Sequence, residues 1–120
     1  FINSAFSATE KTMIPSVKVS ADKNPDYSTS SGKATQDRLF LLSVKEMNKY
    51  LSSNSKRRCK STDYAVANGA KGNYCSWWLR SPGAYQSYAT EVFSTGEIYT
   101  KGGGVGAIGA VRPAMWISLA

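Results

Sequence analysis

Two cysteines and the absence of histidine limit the chemistry that this chain could perform. Without imidazole, Ser–His and Cys–His nucleophile pairs are excluded, and the commonest zinc ligand is missing. Cys59 and Cys75 could form a disulfide, which would stabilise the fold by about 3 kcal/mol through the loop that it closes. The alternative is a pair of buried free thiols. A catalytic thiol would need Lys or Arg to lower its pKa. We therefore expect the disulfide and no metal site.

Charged residues in the second half of the chain could hold or attack a ligand. Arg80 and Arg112 lie within apolar segments, where a guanidinium with five donors can hold loop carbonyls or a carboxylate. We expect a structural role for both, with anion binding or catalysis as the alternative. Glu91 and Glu97 flank a predicted hairpin, as the two carboxylates of a glycosidase could. Because no pattern indicates that they face each other, we expect no enzymatic activity and no cofactor.

Tyrosines cluster after the Ser81-Pro82-Gly83 segment, among small and polar neighbours. Tyr provides contact area at low entropic cost and Ser adapts its hydrogen bonds, so this composition is typical of recognition surfaces. Alternatively, the aromatic side chains cover the core; we expect this of Phe93, whereas Tyr85 should be exposed. The predicted ligand-binding residues are Tyr85, Gln86, Ser87, Tyr88, Glu91, Tyr99 and Lys101.

The formal charge of +7 comes from 15 Lys and Arg against 8 Asp and Glu. Such a balance suits an anionic partner. The densest cluster, Lys56-Arg57-Arg58, is not accompanied by an RNA-binding, zinc-finger or helix-turn-helix pattern. We therefore expect a solvated basic loop and no nucleic-acid partner. No run of about 20 apolar residues predicts a membrane span, and no signal peptide is visible.

The glycine-rich run over 102–109 could suggest a phosphate-binding loop. A Walker loop needs Gly-Lys-Ser/Thr and a following helix, which direct backbone N–H groups at phosphate. Here the glycines lead into a β-like segment without Lys. The run therefore predicts a connection between strands.

The strands that must position these residues begin at 77–83. Trp77 and Trp78 are neighbours in a predicted strand, so they would pack on opposite faces, and the Ser-Pro-Gly segment would end the strand after Arg80. Further strands are predicted over 88–93 and 97–101, around a turn at 94–96, and over 111–117. The predicted structural residues are Trp77, Trp78, Arg80, Arg112 and Trp116.

Helices are predicted in the first half. Two capping-box spacings predict helices over 7–14 and 44–51. Thr62 and Gly69 would begin and end a third helix over 63–68. The run 38–42 has the composition of a buried strand, and 20–36 has that of a solvated loop. The first half is thus predicted to be mostly helical and the second half β-rich. A chain of 120 residues is most simply one domain, so we expect a single domain over residues 1–120.

Motifs spread over almost the whole chain resemble an uncharacterised domain family common in gut Firmicutes. They include Phe1-Ile2-Asn3, Phe40-Leu41-Leu42-Ser43, Trp77-Trp78-Leu79-Arg80-Ser81-Pro82-Gly83 and Val111-Arg112-Pro113-Ala114-Met115-Trp116-Ile117. The resemblance implies the C-type-lectin-like fold in its formylglycine-generating-enzyme variant. That fold is α+β, with two or three short helices, a small twisted antiparallel sheet and long loops. The resemblance also implies strands before the position of Phe1, which this chain would lack.

The resemblance does not imply the activity of formylglycine-generating enzymes or the calcium-dependent sugar binding of animal lectins. Cys59 and Cys75 do not match the copper-binding pair of formylglycine-generating enzymes, and the Glu-Pro-Asn and Trp-Asn-Asp motifs of calcium-dependent lectins are missing. Residues 84–110 are similar, in position and partly in composition, to the hypervariable region of diversity-generating retroelement variable proteins. Those proteins end in a similar Val-Arg-Pro segment.

These observations predict a ligand-binding module that recognises a protein or a surface glycan. A retroelement-diversified receptor is the sharper version of this hypothesis. The alternatives are a structural or adhesion domain of a larger cell-surface protein and a divergent enzyme of the formylglycine-generating superfamily. We expect an extracellular or cell-surface location, with the cytoplasm as the alternative.

Overall fold

The computed structural model of the protein describes residues 1–119 and has an α+β composition, with five short helices and three small antiparallel sheets. The helices are α1 (Ile2–Ala5), α2 (Ala8–Thr12), α3 (Val44–Tyr50), α4 (Asn54–Arg57) and α5 (Asp63–Ala67). The strands are β1 (Val17–Val19), β2 (Thr35–Asp37), β3 (Cys59–Lys60), β4 (Tyr74–Cys75), β5 (Trp77–Pro82), β6 (Tyr88–Val92) and β7 (Ile98–Gly104). None of these helices has the length and apolar character that crossing a membrane requires.

Both predicted capping boxes are confirmed. The Ser7 side chain accepts a hydrogen bond from the backbone N–H of Glu10, and the Glu10 carboxylate accepts one from the N–H of Ser7. Ser43 and Glu46 make the same reciprocal pair at the start of α3. Each box satisfies N–H groups that a helix start otherwise leaves without partners. Helix α2 ends two residues before the predicted end, and the extra helices α1 and α4 are each only 4 residues long.

The third predicted helix and the hairpin turn are also confirmed. Thr62 caps α5 by accepting a hydrogen bond from the N–H of Ala65. Gly69 follows α5 with φ 103°, in the left-handed region that ends many helices. Gly96 in the β6–β7 turn has φ 89°, and a Cβ added there would overlap the backbone of Asn54. Only glycine therefore lets the turn pack against α4.

The three-stranded sheet β5–β6–β7 and helix α3 enclose the core. Val92 lies at the centre of the sheet, paired with Trp77 on one side and Ile98 on the other. Alternate residues of β5 are buried, so the two neighbouring tryptophans serve opposite faces. Strand β5 continues through Pro82, two residues beyond its predicted end. The central buried cluster consists of Val44, Met47, Trp77, Leu79 and Val92.

Arg80 joins three separate segments of chain. Its Nε donates to the carbonyl of Ser20 over 3.1 Å, and its Nη1 donates to the carbonyl of Leu41 over 2.8 Å. The guanidinium also forms ion pairs with Glu46, at the start of α3, and with Asp22, at 3.4 Å. The side chain is largely buried, so these partners replace the water that its donors have lost.

Two predicted strands, over 38–42 and 111–117, do not form among the described residues. Each segment makes one bridge instead of a ladder, because only Phe40 and Ala114 exchange backbone hydrogen bonds, of 3.0 and 2.7 Å. The Leu41 carbonyl accepts the Arg80 side chain and the Leu42 carbonyl accepts the Arg80 N–H. These carbonyls are therefore unavailable to a ladder, and Pro113 has no N–H to donate.

The segment 20–36, predicted as a solvated loop, is partly structural. Strands β1 and β2 pair at its ends. Asn24 is buried, and its amide nitrogen donates to the carbonyls of Pro82, over 2.8 Å, and Thr100, over 2.6 Å. Its amide oxygen accepts from the N–H groups of Asp26 and Tyr27. The loop prediction therefore holds for most of the segment, which has no helix or strand between Val19 and Thr35, but it missed the buried Asn24. A polar composition gave no sign that one amide would be fully hydrogen-bonded inside the protein.

The basic segment 52–60, also predicted as a loop, contains α4 and β3. The carbonyl of Arg57 accepts hydrogen bonds from the indole N–H of Trp77, over 3.0 Å, and from Arg112, over 3.4 Å. The Arg57 guanidinium in turn donates to the carbonyl of Leu51. Part of the positive charge therefore serves the fold, while Lys56 and Arg58 are exposed.

We predict that Arg80→Lys lowers the free energy of unfolding by about 3 kcal/mol, because an ammonium cannot reach all these partners and leaves a buried ion-pair network broken. Urea unfolding monitored by tryptophan fluorescence measures the change. Arg58→Lys, at an exposed position, is the matched control and should change stability by no more than about 0.5 kcal/mol. Equal unfolding midpoints for Arg80→Lys and the wild-type protein would contradict the structural role.

Candidate functional site

The three-stranded sheet has one face that is not used by the core. Trp78 on β5 pairs with Glu91 on β6, and Glu91 pairs with Tyr99 on β7. Side chains that lie directly opposite in neighbouring strands share a face. These three side chains therefore form a row across the sheet, on the side away from Trp77 and Val92. We call the side of the sheet that carries this row the outer face.

Glu91 lies at the centre of the outer face and is half-buried. It lines a cavity of about 260 Å³ that is bordered by the end of α5 and by the segment 108–110. The other polar residues around the cavity are Asn68, Lys71, Ser76 and Ser94. Within residues 1–119, no side chain or backbone group makes a hydrogen bond or an ion pair with the Glu91 carboxylate. Burial raises the pKa of Glu91 above its ordinary value.

Two glycines lie next to the Trp78 indole on the outer face. A Cβ on Gly109 would overlap the indole nitrogen, so only glycine allows this close packing. The position that a Cβ would take on Gly103 lies 3.6 Å from Cη2 of Trp78 and 3.7 and 3.8 Å from the carboxylate oxygens of Glu91. An aromatic edge and a carboxylate thus border the same point on the outer face.

Tyr99 extends the outer face with a second aromatic surface. Its ring stacks on Phe93, with centroids 4.8 Å apart and an angle of 29° between the planes. The expectation that Phe93 belongs to the core is therefore wrong, because the ring is only half-buried and packs on a partly exposed tyrosine. Lys101, further along β7, is exposed.

Tyr85 and Tyr88 form a separate aromatic pair. Their rings meet edge to face with centroids 5.1 Å apart, and Tyr85 is 57% exposed, as predicted. Cε1 of Tyr88 lies 3.9 Å from the Cβ position of Gly104, whereas Glu91 faces that of Gly103. Successive residues of a strand point to opposite faces. The seven predicted ligand-binding residues therefore do not form one surface.

The remaining predicted ligand-binding residues belong to the turn that carries Tyr85. Gln86 and Ser87 are exposed, and the Ser87 carbonyl accepts the N–H of Val105 over 2.9 Å. The N–H of Ala84 donates to the carbonyl of Lys101 over 2.8 Å. These bonds join the turn to β7 and fix the position of the Tyr85–Tyr88 pair.

The predicted disulfide is not present in the structure, in which Cys59 and Cys75 are free thiols. They are direct cross-strand partners in β3 and β4. Each sulfur lies near a backbone carbonyl instead: Cys75 Sγ is 3.7 Å from the oxygen of Cys59, and Cys59 Sγ is 3.8 Å from that of Lys60. Cys75 is buried and lines the cavity that contains Glu91.

The last two predicted structural residues lie beside an apolar groove of about 310 Å³ between α3 and residues 112–116. The Arg112 guanidinium lies 5.0 Å from the Trp77 ring centroid. Trp116 is 51% exposed and meets Tyr50 edge to face at 6.3 Å. Sequence reasoning identified these residues but not the groove, since the segments that form it are distant in sequence.

The cavity residues Asn68, Ser76 and Ser94 were not predicted as functional residues. They are common polar residues in turns or short connections, and no spacing relates them to Glu91. Trp78 was predicted to be structural only, although its place opposite Trp77 on the strand already indicated a second face. No three Cys, Asp or Glu side chains converge in residues 1–119 to hold a metal ion.

Comparison with known proteins provides one match. Residues 1–119 match the family described as a domain of unknown function (DUF6273). No curated protein and no solved structure matches the chain. The α+β architecture and the site on its outer face therefore rest on the chain's own geometry.

We predict opposite pH effects for two carboxylates. The raised pKa of Glu91 means that its ionised form opposes folding, so Glu91→Gln should be more stable than the wild type at pH 7. This difference should shrink as the pH falls and Glu91 becomes protonated. Burial alone would raise the pKa of Asp22, but hydrogen bonds from Ser43 and Ser20 and the charges of Arg80 and Lys45 lower it.

Ionised Asp22 therefore stabilises the fold above the unfolded pKa, about 3.9, and this contribution is lost as the pH falls through the lower folded pKa. Asp22→Asn should be less stable than the wild type at pH 7, and the two should converge in acid. Thermal unfolding between pH 3 and pH 7 measures both differences. A loss of stability at pH 7 in Glu91→Gln would show that the carboxylate has an internal partner.

Proposed function

We propose that this chain, which belongs to the DUF6273 family, is a ligand-binding module without catalytic activity, and that its binding site is centred on Glu91. The observation that carries the proposal is a half-buried carboxylate that has no partner among residues 1–119 and lines a cavity beside Trp78. Partial burial without a partner inside the protein disfavours the ionised form of this carboxylate. A ligand that donates hydrogen bonds to Glu91 would stabilise that form.

The lining of the cavity favours a glycan over a protein as the ligand. At about 260 Å³, the cavity lies near the small end of ligand pockets, which are roughly 300–1,000 Å³. It accommodates one compact group rather than the broad surface of a folded protein. Ser76 and Ser94 offer hydroxyl groups inside the cavity. Trp78 and Tyr99 do not line it, but their side chains lie in the same row of the outer face as Glu91. This combination suits a ring with hydroxyl groups on its edge.

We also propose that the architecture is the C-type-lectin-like fold in its formylglycine-generating-enzyme variant. The α+β composition, the three-stranded antiparallel sheet and the long connections support this assignment. Residues 84–110 are similar to the hypervariable region of diversity-generating retroelement variable proteins. This similarity supports a more specific proposal, namely that the module is a retroelement-diversified receptor. A surface glycan as ligand would place the module outside the cell.

A second candidate function is a thiol-dependent enzyme of the formylglycine-generating superfamily. The observation in its favour is that Cys75 is a free thiol and lines the same cavity as Glu91. Against it, only 6% of Cys75 is exposed, and its sulfur lies 3.7 Å from the carbonyl oxygen of Cys59. A nucleophile must reach its substrate as a thiolate, and this position gives it little access.

Binding to a glycan array tests the proposed site. We predict that Glu91→Lys, which places a cation where the ligand's donors should lie, reduces the array signal at least tenfold. Glu97→Lys, an identical charge reversal on an exposed residue of the same hairpin, should leave the signal unchanged. Tyr85→Ala should also leave it unchanged, because Tyr85 pairs with Tyr88 away from the outer face.

Two outcomes would contradict the proposal: no glycan bound by the wild-type protein, or equal binding by the wild-type protein and Glu91→Lys. Cys75→Ser distinguishes the second candidate, since a binding site does not need the thiol and should keep its affinity. Circular dichroism of each variant shows whether a lost signal reflects unfolding.

A further inference from the structure

The segment 52–75, which contains α4, β3, α5 and β4, concentrates positive charge. It has five Lys and Arg side chains and a single acidic residue, Asp63. The two ion pairs that residues 1–119 form both belong to Arg80, so these five cations have no carboxylate partner within the described residues. Arg57 serves the fold, since its guanidinium donates to the carbonyl of Leu51. The other four cations are exposed.

Two of the exposed cations lie beside one aromatic ring. The guanidinium carbon of Arg58 is 4.9 Å from the centroid of the Tyr74 ring, and Nζ of Lys60 is 5.8 Å from it. Lys60 and Tyr74 are direct cross-strand partners in β3 and β4, so their side chains share a face. Arg58 precedes Lys60 by two residues and has extended backbone, so it points to the same face. We call these three side chains the basic cluster.

The basic cluster presents two oriented cations to one anionic group. An aromatic ring attracts the cations that lie beside it, and this contact restricts their long side chains. An anion that binds them therefore pays less for side-chain ordering. The planar guanidinium offers parallel N–H donors to two anionic oxygens, and the ammonium adds a point charge. Neither Arg58 nor Lys60 makes a side-chain hydrogen bond within residues 1–119, and both are exposed, so a ligand can reach their donors.

The form of the basic cluster favours an acidic polysaccharide over a nucleic acid. Proteins that bind single-stranded nucleic acid stack successive bases on several aromatic side chains. The cluster has one ring, and two cations of the protein already contact it. A duplex is read by an α-helix or a β-ribbon that enters a groove. Helices α4 and α5, in the same segment, have only 4 and 5 residues, and β3 and β4 have 2 each.

We infer that the basic cluster is a second binding site, which takes a sulfate or carboxylate group of an acidic polysaccharide. The inference goes beyond the proposed function, because the Glu91 cavity does not hold this group. Cys75 follows Tyr74 in β4, points to the opposite face and lines that cavity. Variants of the basic cluster therefore leave the lining of the cavity unchanged.

Two double variants that remove equal charge test the inference. Arg58→Gln with Lys60→Gln removes two cations from the basic cluster. Lys18→Gln with Lys33→Gln removes two exposed cations from β1 and from the segment before β2. Surface plasmon resonance measures binding to immobilised heparin at physiological salt. The cluster variant should bind heparin at least tenfold more weakly than the wild-type protein, whereas the control variant should differ by less than twofold.

Two further polysaccharides define the group that is bound. Hyaluronate carries carboxylate only, whereas heparin carries sulfate as well, so their relative affinities show which group the basic cluster takes. Neutral dextran should bind at least tenfold more weakly than heparin.

A variant that keeps every charge provides a second readout. Tyr74→Leu removes the ring that orients Arg58 and Lys60 but retains an apolar side chain. Its affinity for heparin should fall at least threefold, although the net charge is unchanged. Circular dichroism shows whether the variant is folded, and equal heparin affinity in folded Tyr74→Leu and the wild-type protein would contradict the role of the ring.

The remaining outcomes that would overturn the inference are distinct. Equal losses in the two double variants would show that net charge alone attracts heparin. A single-stranded oligothymidylate that binds through Arg58 and Lys60 as tightly as heparin would replace the polysaccharide by a nucleic acid. A wild-type protein that binds neither heparin nor hyaluronate would remove the site altogether. None of these results alters the array test of Glu91, so failure of the basic cluster and failure of the proposed function are distinguishable.

Discussion

The guanidinium of Arg80 holds together parts of the chain that no regular element connects. It binds the Ser20 and Leu41 carbonyls and the carboxylates of Asp22 and Glu46. Glu46 also completes the capping box of α3, so one side chain fixes both the start of that helix and its position on the sheet. Residues 1–119 form only short helices and seven short strands, so few ladder hydrogen bonds connect their segments. A multidentate arginine replaces part of that missing framework.

This framework determines which face of the sheet is available to a ligand. Helix α3 packs its buried residues Val44 and Met47 against Trp77, Leu79 and Val92. Because side chains alternate along each strand, burial of one face places Trp78 and Glu91 on the other. The outer face is then covered only in part, by α5 and by residues 108–110. The cavity is a consequence of this incomplete cover, and Glu91 and Lys71 are the charged residues that line it.

The parts of the fold that local chemistry controls could be predicted from the sequence. The Ser7–Glu10 and Ser43–Glu46 pairs indicated two helix starts, and the turn that ends in Gly96 indicated the hairpin. Each depends on residues only a few positions apart. The opposite orientation of Trp77 and Trp78 followed from strand geometry alone.

The sequence-based predictions that failed concern features that depend on contacts between distant residues. Asn24 binds carbonyls more than fifty residues away, as the 58-residue separation from Pro82 shows. The run 38–42 looks like a strand because it is apolar, but its carbonyls bind Arg80 instead of a neighbouring strand. Glu91 was recognised as a candidate ligand-binding residue, and its odd spacing from Tyr88 in one predicted strand already indicated opposite faces. The cavity beside it could not be predicted, because the end of α5 and residues 108–110 are distant from Glu91 in sequence.

The central claim is that Glu91 is a partly buried carboxylate that the protein itself leaves without a partner. Carbon-detected NMR titration of the Glu91 side-chain carboxyl in the free domain tests it most directly. If the claim is correct, Glu91 titrates with a pKa above the ordinary Glu value of about 4.3. No N–H or O–H proton of the protein should then show a hydrogen bond to its carboxylate. A pKa at or below the ordinary value would show that a group within the protein already compensates the charge, and would contradict the account.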